Sequence, residues 1–319
     1  MSRIVTLGEV VADIYREEGG SPVELPFIAR PGGAPANVAV AASRLGAEAA
    51  FVGSVGEDLF GEFILNALKS EGVDTSAVVR QSPPTRTSLA FVEIGADGDR
   101  SFTFYRSDPA ADEMLSPGDI SPETLSGASF LNFGSIPLIK EPVRSATREA
   151  AELARELGVP VAFDVNFREH LWESVEAARE AIDPLLGLST VVKMGHDELP
   201  PLLGTGSAEE AAASLLSRGV SLVLISMGLN GAFYAASGFS GYVPAFEVES
   251  VDPTGAGDAF LAAALAHLAG RDWDGEAVRE GVRQGAAAGA IACTGYGAMS
   301  ALPTGEELER FMRTADVRR

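Results

Sequence analysis

The hydrophobic pattern of the chain alternates short apolar runs with longer amphipathic stretches. Buried strands are predicted wherever four to six mostly apolar residues follow one another between turn signals. The predicted strands are Ile4–Leu7, Ala50–Val55, Ser129–Phe133, Pro160–Asp164, Thr190–Met194 and Ser221–Ser226. Amphipathic helices are predicted between them at Asp58–Lys69, Glu141–Leu157 and Ala208–Arg218, with Asp58 suited as an N-cap. This alternation predicts an α/β fold with a mostly parallel central sheet and helices on both faces.

Two β-rich stretches, Thr87–Ile94 and Arg100–Tyr105, interrupt the alternation and are joined by the turn-forming sequence ADGD at 96–99. Together with Asp13–Glu17 and Phe27–Arg30 they are expected to form a small separate β-sheet beside the main one. A peripheral hairpin is the alternative interpretation of the same pattern.

The last third of the chain changes character, because Gly255–Gly270 and Asp274–Cys293 predict long, alanine-rich helices. No Pro/Ser-rich linker, charge block or internal repeat divides the 319 residues, so we expect a single domain over 1–319. The apolar fraction of 46% is that of a packed globular protein.

Charge and cysteine content exclude several classes of function. Lys and Arg number 24 against 45 Asp and Glu, so the formal charge is −21. Such a charge argues against a general nucleic-acid binder and against attraction to anionic membranes. A single cysteine excludes an internal disulfide framework and a multi-cysteine metal site. Because the chain has no signal-peptide pattern and no apolar run of membrane-spanning length, we expect a cytoplasmic protein.

The stretch VDPTGAGDAFLAAAL, residues 251–265, points to phosphate chemistry. It places Gly255, Ala256 and Gly257 at the start of a predicted helix, where amide hydrogens have no intrahelical acceptor and attract anions. Asp258 follows in the first turn, and a carboxylate there can take a proton from an attacking hydroxyl group. Two alternative interpretations of this stretch are a glycine-rich helix start without a chemical role and a dinucleotide-binding turn, although the third glycine of that turn is missing.

A second stretch, RPGGAPANVAVAASRLGAEAAFVGSVGEDLFG at 30–61, has the features of a ligand-binding helix start. Gly32 and Gly33 allow a close backbone approach, and Pro35 fits a first helical turn. Asn37 could offer both a donor and an acceptor to a polyhydroxy ligand, or could cap the helix.

These two stretches resemble the two signatures of the ribokinase-like (PfkB) carbohydrate kinases, carried by GGAPANVAVAASRLG with FVGSVGEDLFG and by DPTGAGDAF. They occur in the family's order, and the resemblance extends over essentially the whole chain. Further segments look like fructokinases, namely LAFVEIGADGDRSFTFYRSDPAADEML, LNFGSIPLIKEPVRSA and FDVNFREHLWES. The GGAPANVAV pattern is also shared by 2-keto-3-deoxygluconate kinases.

The resemblance implies an ATP-dependent sugar kinase that converts fructose to fructose 6-phosphate. Asp258 would be the base, and the amides of 255–257 would form the anion hole. The small sheet, from roughly 13–30 and 86–107, would be a discontinuous β lid that closes over the sugar and joins two copies in a homodimer. The alternatives are 2-keto-3-deoxygluconate kinase or ribokinase activity, a sugar-binding module without catalysis, and, from another class, an NAD-dependent oxidoreductase.

The resemblance also implies roles for individual positions of this chain. The implied sugar contacts are Asp13, Gly32, Gly33, Asn37, Arg106 and Arg168. The implied nucleotide contacts are Lys193, Ser226, Gly228, Gly231, Gly255 and Gly257. Glu198 would be associated with Mg²⁺, although Gly195 replaces the polar residue usual in that motif. Asp252 and the carbonyl of Thr254 would hold a monovalent cation such as K⁺, and Ala286 stands where an adenine-side asparagine is common.

Overall fold

The computed structural model describes residues 2–17, 19–21, 23–94 and 100–318 of the chain. Over these residues the strands are β1 Arg3–Leu7, β2 Val11–Arg16, β3 Phe27–Gly32, β4 Glu48–Gly56, β5 Val78–Gln81, β6 Leu89–Ile94, β7 Arg100–Tyr105, β8 Phe130–Gly134, β9 Val161–Asp164, β10 Val191–Gly195, β11 Leu222–Ser226, β12 Ala232–Ala236 and β13 Phe239–Val243. Nine of them form the main sheet in the order β13-β12-β11-β10-β9-β8-β1-β4-β5. Its strands run parallel from β5 to β11, and the two at the other edge, β12 and β13, are antiparallel.

Helices connect the parallel strands. Within the described ranges they are α1 Ala34–Arg44, α2 Leu59–Ser70, α3 Pro122–Leu125, α4 Val143–Glu156, α5 Val175–Leu188, α6 Leu199–Leu203, α7 Ala208–Ser217, α8 Ala256–Leu268, α9 Gly275–Ala292 and α10 Gly305–Thr314. None of these described helices combines the length and the apolar composition that crossing a bilayer requires.

The main sheet is covered by helices on both faces. Side chains alternate along each strand, so that Ile4 of β1 packs with the α1, α8 and α9 side, whereas Val5 and Leu7 pack with the α4, α5 and α7 side. Leu222 and Val223 of β11 divide in the same way. The predicted fold class is therefore confirmed, and each predicted strand and helix ends within two residues of its observed counterpart. Asp58 caps α2 as expected, because its Oδ1 accepts a hydrogen bond from the Gly61 N–H at 2.8 Å.

The second sheet has the order β3-β2-β6-β7, with β2 and β6 parallel and the two outer pairs antiparallel. A small separate sheet is thus confirmed, and the interpretation as a peripheral hairpin is wrong, because β2 and β3 complete the sheet. The predicted ADGD turn at 96–99 lies outside the described residues. β3 ends at Gly32 and α1 begins at Ala34, so the small sheet leads directly into the first helix of the main body. Its role as a lid, and the assignment of 1–319 to a single domain, stay predictions.

Candidate active site

A cavity of about 510 Å³ lies where the carboxyl ends of the central strands meet the small sheet. Ligands of open α/β sheets commonly bind at this edge. Among the predicted site residues, its lining includes Asp13, Gly33, Asn37, Arg106, Arg168, Lys193, Glu198, Ser226, Thr254, Gly255, Gly257 and Asp258. The structure therefore brings together side chains from both sequence signatures and from the strands between them.

Gly32 and Gly33 act through close approach of the backbone. Gly32 does not line the cavity. A Cβ atom at Gly32 would overlap Oδ2 of Asp13, so glycine makes room for that carboxylate. Gly33 is the N-cap of α1 with φ of 106°, and a Cβ atom there would lie 2.6 Å from the carbonyl oxygen of Glu9. Both glycines are thus required by the geometry that presents Asp13 and α1 to the cavity.

Asp258 lies in the first turn of α8 and is 8% exposed. Its Oδ2 accepts a hydrogen bond from Nδ2 of Asn37 at 2.7 Å. Burial, together with the negative charge of Asp164, raises the pKa of Asp258 to about 6, while Asn37 and the cations Lys193 and Arg168 oppose that rise. The carboxylate is therefore largely ionised at neutral pH but basic enough to accept a proton, as a general base must.

The start of α8 presents backbone amides to the same cavity. Gly255 is its N-cap with φ of 82°, and within the described ranges no side chain makes a capping hydrogen bond there. The amide of Ala256 donates to the carbonyl of Pro253 at 3.2 Å, and Ala259 makes the first bond back to Gly255 at 2.8 Å. The amides of Gly257 and Asp258 lie ahead of that bond, at the positive end of the helix dipole. Ala256 lines the neighbouring cavity instead, whereas Gly257 lines both, so the predicted anion hole centres on Gly257.

Lys193 of β10 brings a buried cation to this helix start. Its Nζ donates to Oδ1 and Oδ2 of Asp164 at 3.0 and 3.2 Å. Burial alone would lower the pKa of Lys193, but the charges of Asp164, Glu198 and Asp258 outweigh it and raise that pKa. A Cβ atom at Gly257 would lie 3.0 Å from Nζ, so the ammonium group stands directly against the turn. Sequence reasoning missed Asp164, whose signal was its position at the carboxyl end of a predicted buried strand.

Glu198 is held by the backbone rather than by a metal cluster. Its Oε1 accepts from the Phe167 amide at 2.6 Å, and its Oε2 accepts from the Gly195 amide at 2.7 Å. Burial raises the pKa of Glu198 to about 7. A Cβ atom at Gly195 would lie 2.6 Å from Oδ1 of Asp197, so the Asp197 carboxylate fills the space that glycine leaves. Within the described ranges no three His, Cys, Asp or Glu side chains are grouped so as to hold a metal ion. Glu198 and Asp197 both line the first cavity, and carboxylates suit Mg²⁺ that is also held by phosphate and water.

Asp252 connects the loop before α8 to the loop that contains Gly297, at the predicted monovalent-cation site. It is fully buried, and its Oδ1 accepts from the amide of Thr254 at 2.8 Å. Its Oδ2 accepts from the amide of Gly297 at 2.7 Å. Thr254 lines the first cavity, whereas Asp252 does not. This arrangement fixes the loop before α8, and the cation itself stays a prediction.

A second cavity, of about 400 Å³, adjoins the first through residues that line both, Ser226, Pro253 and Gly257. The predicted nucleotide residues Gly228 and Gly231 line it, and so does Ala286. The other lining side chains are mostly apolar: Leu229, Phe246, Val248, Phe260, Ala290 and Cys293. An apolar pocket next to the helix start is suited to a planar base whose phosphates extend toward Gly257.

A buried ionic cluster forms the wall of the first cavity beneath the small sheet. Arg106 contacts Asp112 at 3.3 Å and Glu113 at 3.5 Å, so it is held in the wall rather than free at the surface. Glu9 is 5% exposed, and its Oε1 accepts from the amide of Ala34 at 3.3 Å. Burial raises the pKa of Glu9 to about 8. Sequence reasoning found Arg106 but missed the three buried acids. Arg168 lies exposed at the rim.

Comparison with known proteins agrees with this geometry. The family model described as pfkB family carbohydrate kinase matches residues 1–305. Fructokinase-1 of Oryza sativa subsp. japonica is 41% identical over 318 residues, which cover 98% of each chain. Fructokinase from Vibrio cholerae O395 has a TM-score of 0.87 and 36% identity over 98% of this chain, and 98 to 99% of that one. It was solved with fructose, ADP and calcium, and as a double mutant with fructose, ADP and potassium. Aminoimidazole riboside kinase from Salmonella enterica, with its riboside and an ATP analogue, has a TM-score of 0.87 and 32% identity, covering 98% of this chain and all of that one.

Proposed function

The chain belongs to the pfkB family of carbohydrate kinases, and on that premise we propose that it phosphorylates D-fructose with ATP to give fructose 6-phosphate. It is a sugar kinase by family, and fructokinases about 40% identical over nearly the full length support fructose as the substrate. The observation that carries the proposal is the hydrogen-bonded pair of Asn37 and Asp258 beside the uncapped start of α8.

Each of the two cavities holds one of the two substrates of this reaction. The sugar lies in the first cavity, with Asp13, Asn37 and Arg106 in contact with its hydroxyl groups. ATP lies in the second cavity, so that its γ-phosphate reaches the amides at Gly257 from the other side. Because Gly257 lines both spaces, the sugar's primary hydroxyl and the γ-phosphorus can meet over the helix start in an in-line arrangement.

Proton transfer is the task of Asp258. Its carboxylate takes the proton from the primary hydroxyl as that oxygen attacks the γ-phosphorus, while the bond from that phosphorus to the β,γ-bridging oxygen breaks and ADP leaves. Asn37 keeps one carboxylate oxygen of Asp258 fixed during this step. The amides at Gly257 stabilise the charge on the transferred phosphoryl group. Mg²⁺ bound with ATP would neutralise phosphate charge, and Glu198 and Asp197 are the residues that would hold its water ligands.

A monovalent cation is part of this proposal. Asp252 and the carbonyl of Thr254 would hold K⁺ behind the anion-binding turn, where it would fix the loop that leads into α8. The fructokinase from Vibrio cholerae O395, solved with a potassium ion, supports this choice. The cytoplasmic location stays a prediction from the sequence.

The small sheet is the proposed lid and the proposed contact between two copies of the chain. Its outer side carries an aromatic row, in which the rings of Phe27 and Phe91 are 5.4 Å apart and those of Phe91 and Tyr105 are 4.8 Å apart. Tyr105 is 61% exposed, and Leu25, in the loop that leads into β3, is 56% exposed. A sizeable apolar surface therefore faces outward. Pairing with the same surface of a second copy would cover it.

A panel of sugars tests the substrate. Initial rates with ATP and Mg²⁺ are measured for fructose, ribose, 2-keto-3-deoxygluconate and aminoimidazole riboside, and the phosphorylated position is read by ³¹P NMR. We expect the highest kcat/KM with fructose and the phosphate at the 6-hydroxyl. A higher kcat/KM with another member of the panel would move the assignment to that substrate. Tight sugar binding without phosphoryl transfer would instead indicate a binding module.

A further inference from the structure

The ammonium group of Lys193 lies directly against the turn that is predicted to bind phosphate. A Cβ atom built on Gly257 would lie 3.0 Å from its Nζ, a tight contact that would force the ammonium group to shift by a few tenths of an ångström. Lys193 is 6% exposed and lines the first cavity, where the sugar lies, but not the second. Its cation therefore lies at the junction of the two substrates, on the sugar side.

Asp164 determines where that ammonium group lies. The two residues are register partners on the neighbouring parallel strands β9 and β10. Both carboxylate oxygens of Asp164 accept from Nζ, at 3.0 and 3.2 Å, and Asp164 is only 3% exposed. A lysine side chain is flexible, so these two bonds fix a position that the side chain alone would not hold.

Most of the charges around the ammonium group are negative and would by themselves repel a bound anion. Three carboxyl groups act on Lys193: Asp164 on β9, Glu198 after β10 and Asp258 on α8. Asp258 is affected by the charge of Arg168 as well as by those of Asp164 and Lys193. A phosphoryl group that enters this largely acidic surround needs a fixed positive charge at the point of transfer. Lys193 is the buried cation available there among the described residues.

We propose that Lys193 completes the anion hole by stabilising the charge that develops on the transferred phosphoryl group, and that Asp164 is the positioning residue that holds it there. This inference rests on the proposed kinase function. Interactions that strengthen in the transition state raise kcat, whereas an anchor for bound ATP would act mainly on nucleotide affinity. The two roles therefore predict different kinetic effects for the same substitution.

The first test separates turnover from binding. Lys193→Met could leave Asp164 as a buried charge without its cation, so the double variant Lys193→Met/Asp164→Asn, which removes both charges, is measured beside it. We expect kcat with saturating fructose and ATP to fall by about a hundredfold or more in both variants, with the Kd for ADP, measured by calorimetry, unchanged to within about threefold. Lys69→Met, the same change at an exposed position on α2, is the control with wild-type kcat.

The second test uses Asp258 as a reporter of the local charge. Removing the Lys193 cation should move the acidic limb of kcat/KM to higher pH, while Asp164→Asn should move it to lower pH and also lower kcat by about tenfold. A folded double variant that keeps wild-type kcat, or a loss confined to ADP affinity, would overturn the inference. If the wild-type chain phosphorylates no sugar, the proposed function itself fails. The variants are compared with an active wild type and therefore test only the roles of Lys193 and Asp164.

Discussion

Asn37 in α1 donates its side-chain amide to Asp258 in α8 across 2.7 Å, although 221 residues separate them in the chain. Both side chains are almost fully buried, and the two helices cover the same face of the main sheet. The hydrogen bond occupies Oδ2 of the carboxylate. The two sequence signatures thus form one site, in which the first orients the base that the second supplies.

Asn37→Ala should disturb the base without unfolding the protein. The amide favours the charged form of Asp258, so its loss should raise that pKa and move the acidic limb of kcat/KM above the pH of about 6 expected for the wild type. A freely rotating carboxylate should also lower kcat at neutral pH roughly ten- to hundredfold. Profiles from about pH 5 to 8 would check this. Asn66→Ala, at an exposed position on α2, is the control, and superimposable profiles for all three proteins would contradict the role of Asn37.

Gly257→Ala should place a methyl carbon about 3.0 Å from the Lys193 ammonium and push it out of position. We expect kcat to fall by about tenfold or more while the fold is retained, because the obstacle is the mobile end of a side chain. Gly187 lies in α5 with nothing within 4 Å of its Cβ position, so Gly187→Ala should keep full activity. That control should also gain about 0.5–1 kcal/mol in the free energy of unfolding, measured in urea. Equal kcat in both variants would show that the close approach has no functional consequence.

Glu9→Gln should change how stability depends on pH. Burial raises the pKa of Glu9 from the ordinary 4.5 to about 8, so the folded state keeps a proton that the unfolded state releases. The stabilisation from that protonated carboxyl is complete below pH 4.5 and is lost as pH rises toward 8. Glutamine is neutral throughout and can still accept from the Ala34 amide, so its advantage over wild type should grow to on the order of 4 kcal/mol by pH 8.

Urea unfolding of wild type and Glu9→Gln at several pH values would measure that growing difference. Glu48→Gln, at an exposed position, serves as the control and should follow the wild-type curve. A constant offset between wild type and Glu9→Gln across the pH range would contradict a neutral, buried Glu9.

Leu25→Glu and Tyr105→Glu should convert the proposed dimer to monomer, because each places a charge on the apolar outer side of the small sheet. Leu157 is 41% exposed just after α4, on a different surface, so Leu157→Glu should leave the oligomeric state unchanged. Sedimentation velocity would distinguish these cases. A wild-type protein that sediments only as a monomer would refute the lid-mediated dimer.

Local sequence signals account well for the parts of the fold and site that local physics controls. Glycine at 33 and 255 was informative because both positions have positive φ and adjoin a helix start. Asp164 and Glu9 were missed because their importance comes from partners distant in the chain, Lys193 for Asp164 and the amide of Ala34 for Glu9, and the position of an acid at or after a strand end does not identify such partners. The helix α5 was missed because it contains Pro184, whereas α10 could have been found from the capping box of Thr304 and Glu307.

Turnover of Asp258→Asn tests the central claim most directly, because asparagine keeps the shape of the side chain and removes only its capacity to accept a proton. We expect a folded protein that still binds fructose, with kcat reduced at least about a hundredfold. Asp272→Asn, at an exposed position beyond α8, is the matched control and should turn over like the wild type. Wild-type turnover by Asp258→Asn under saturating fructose and ATP would contradict Asp258 as the base.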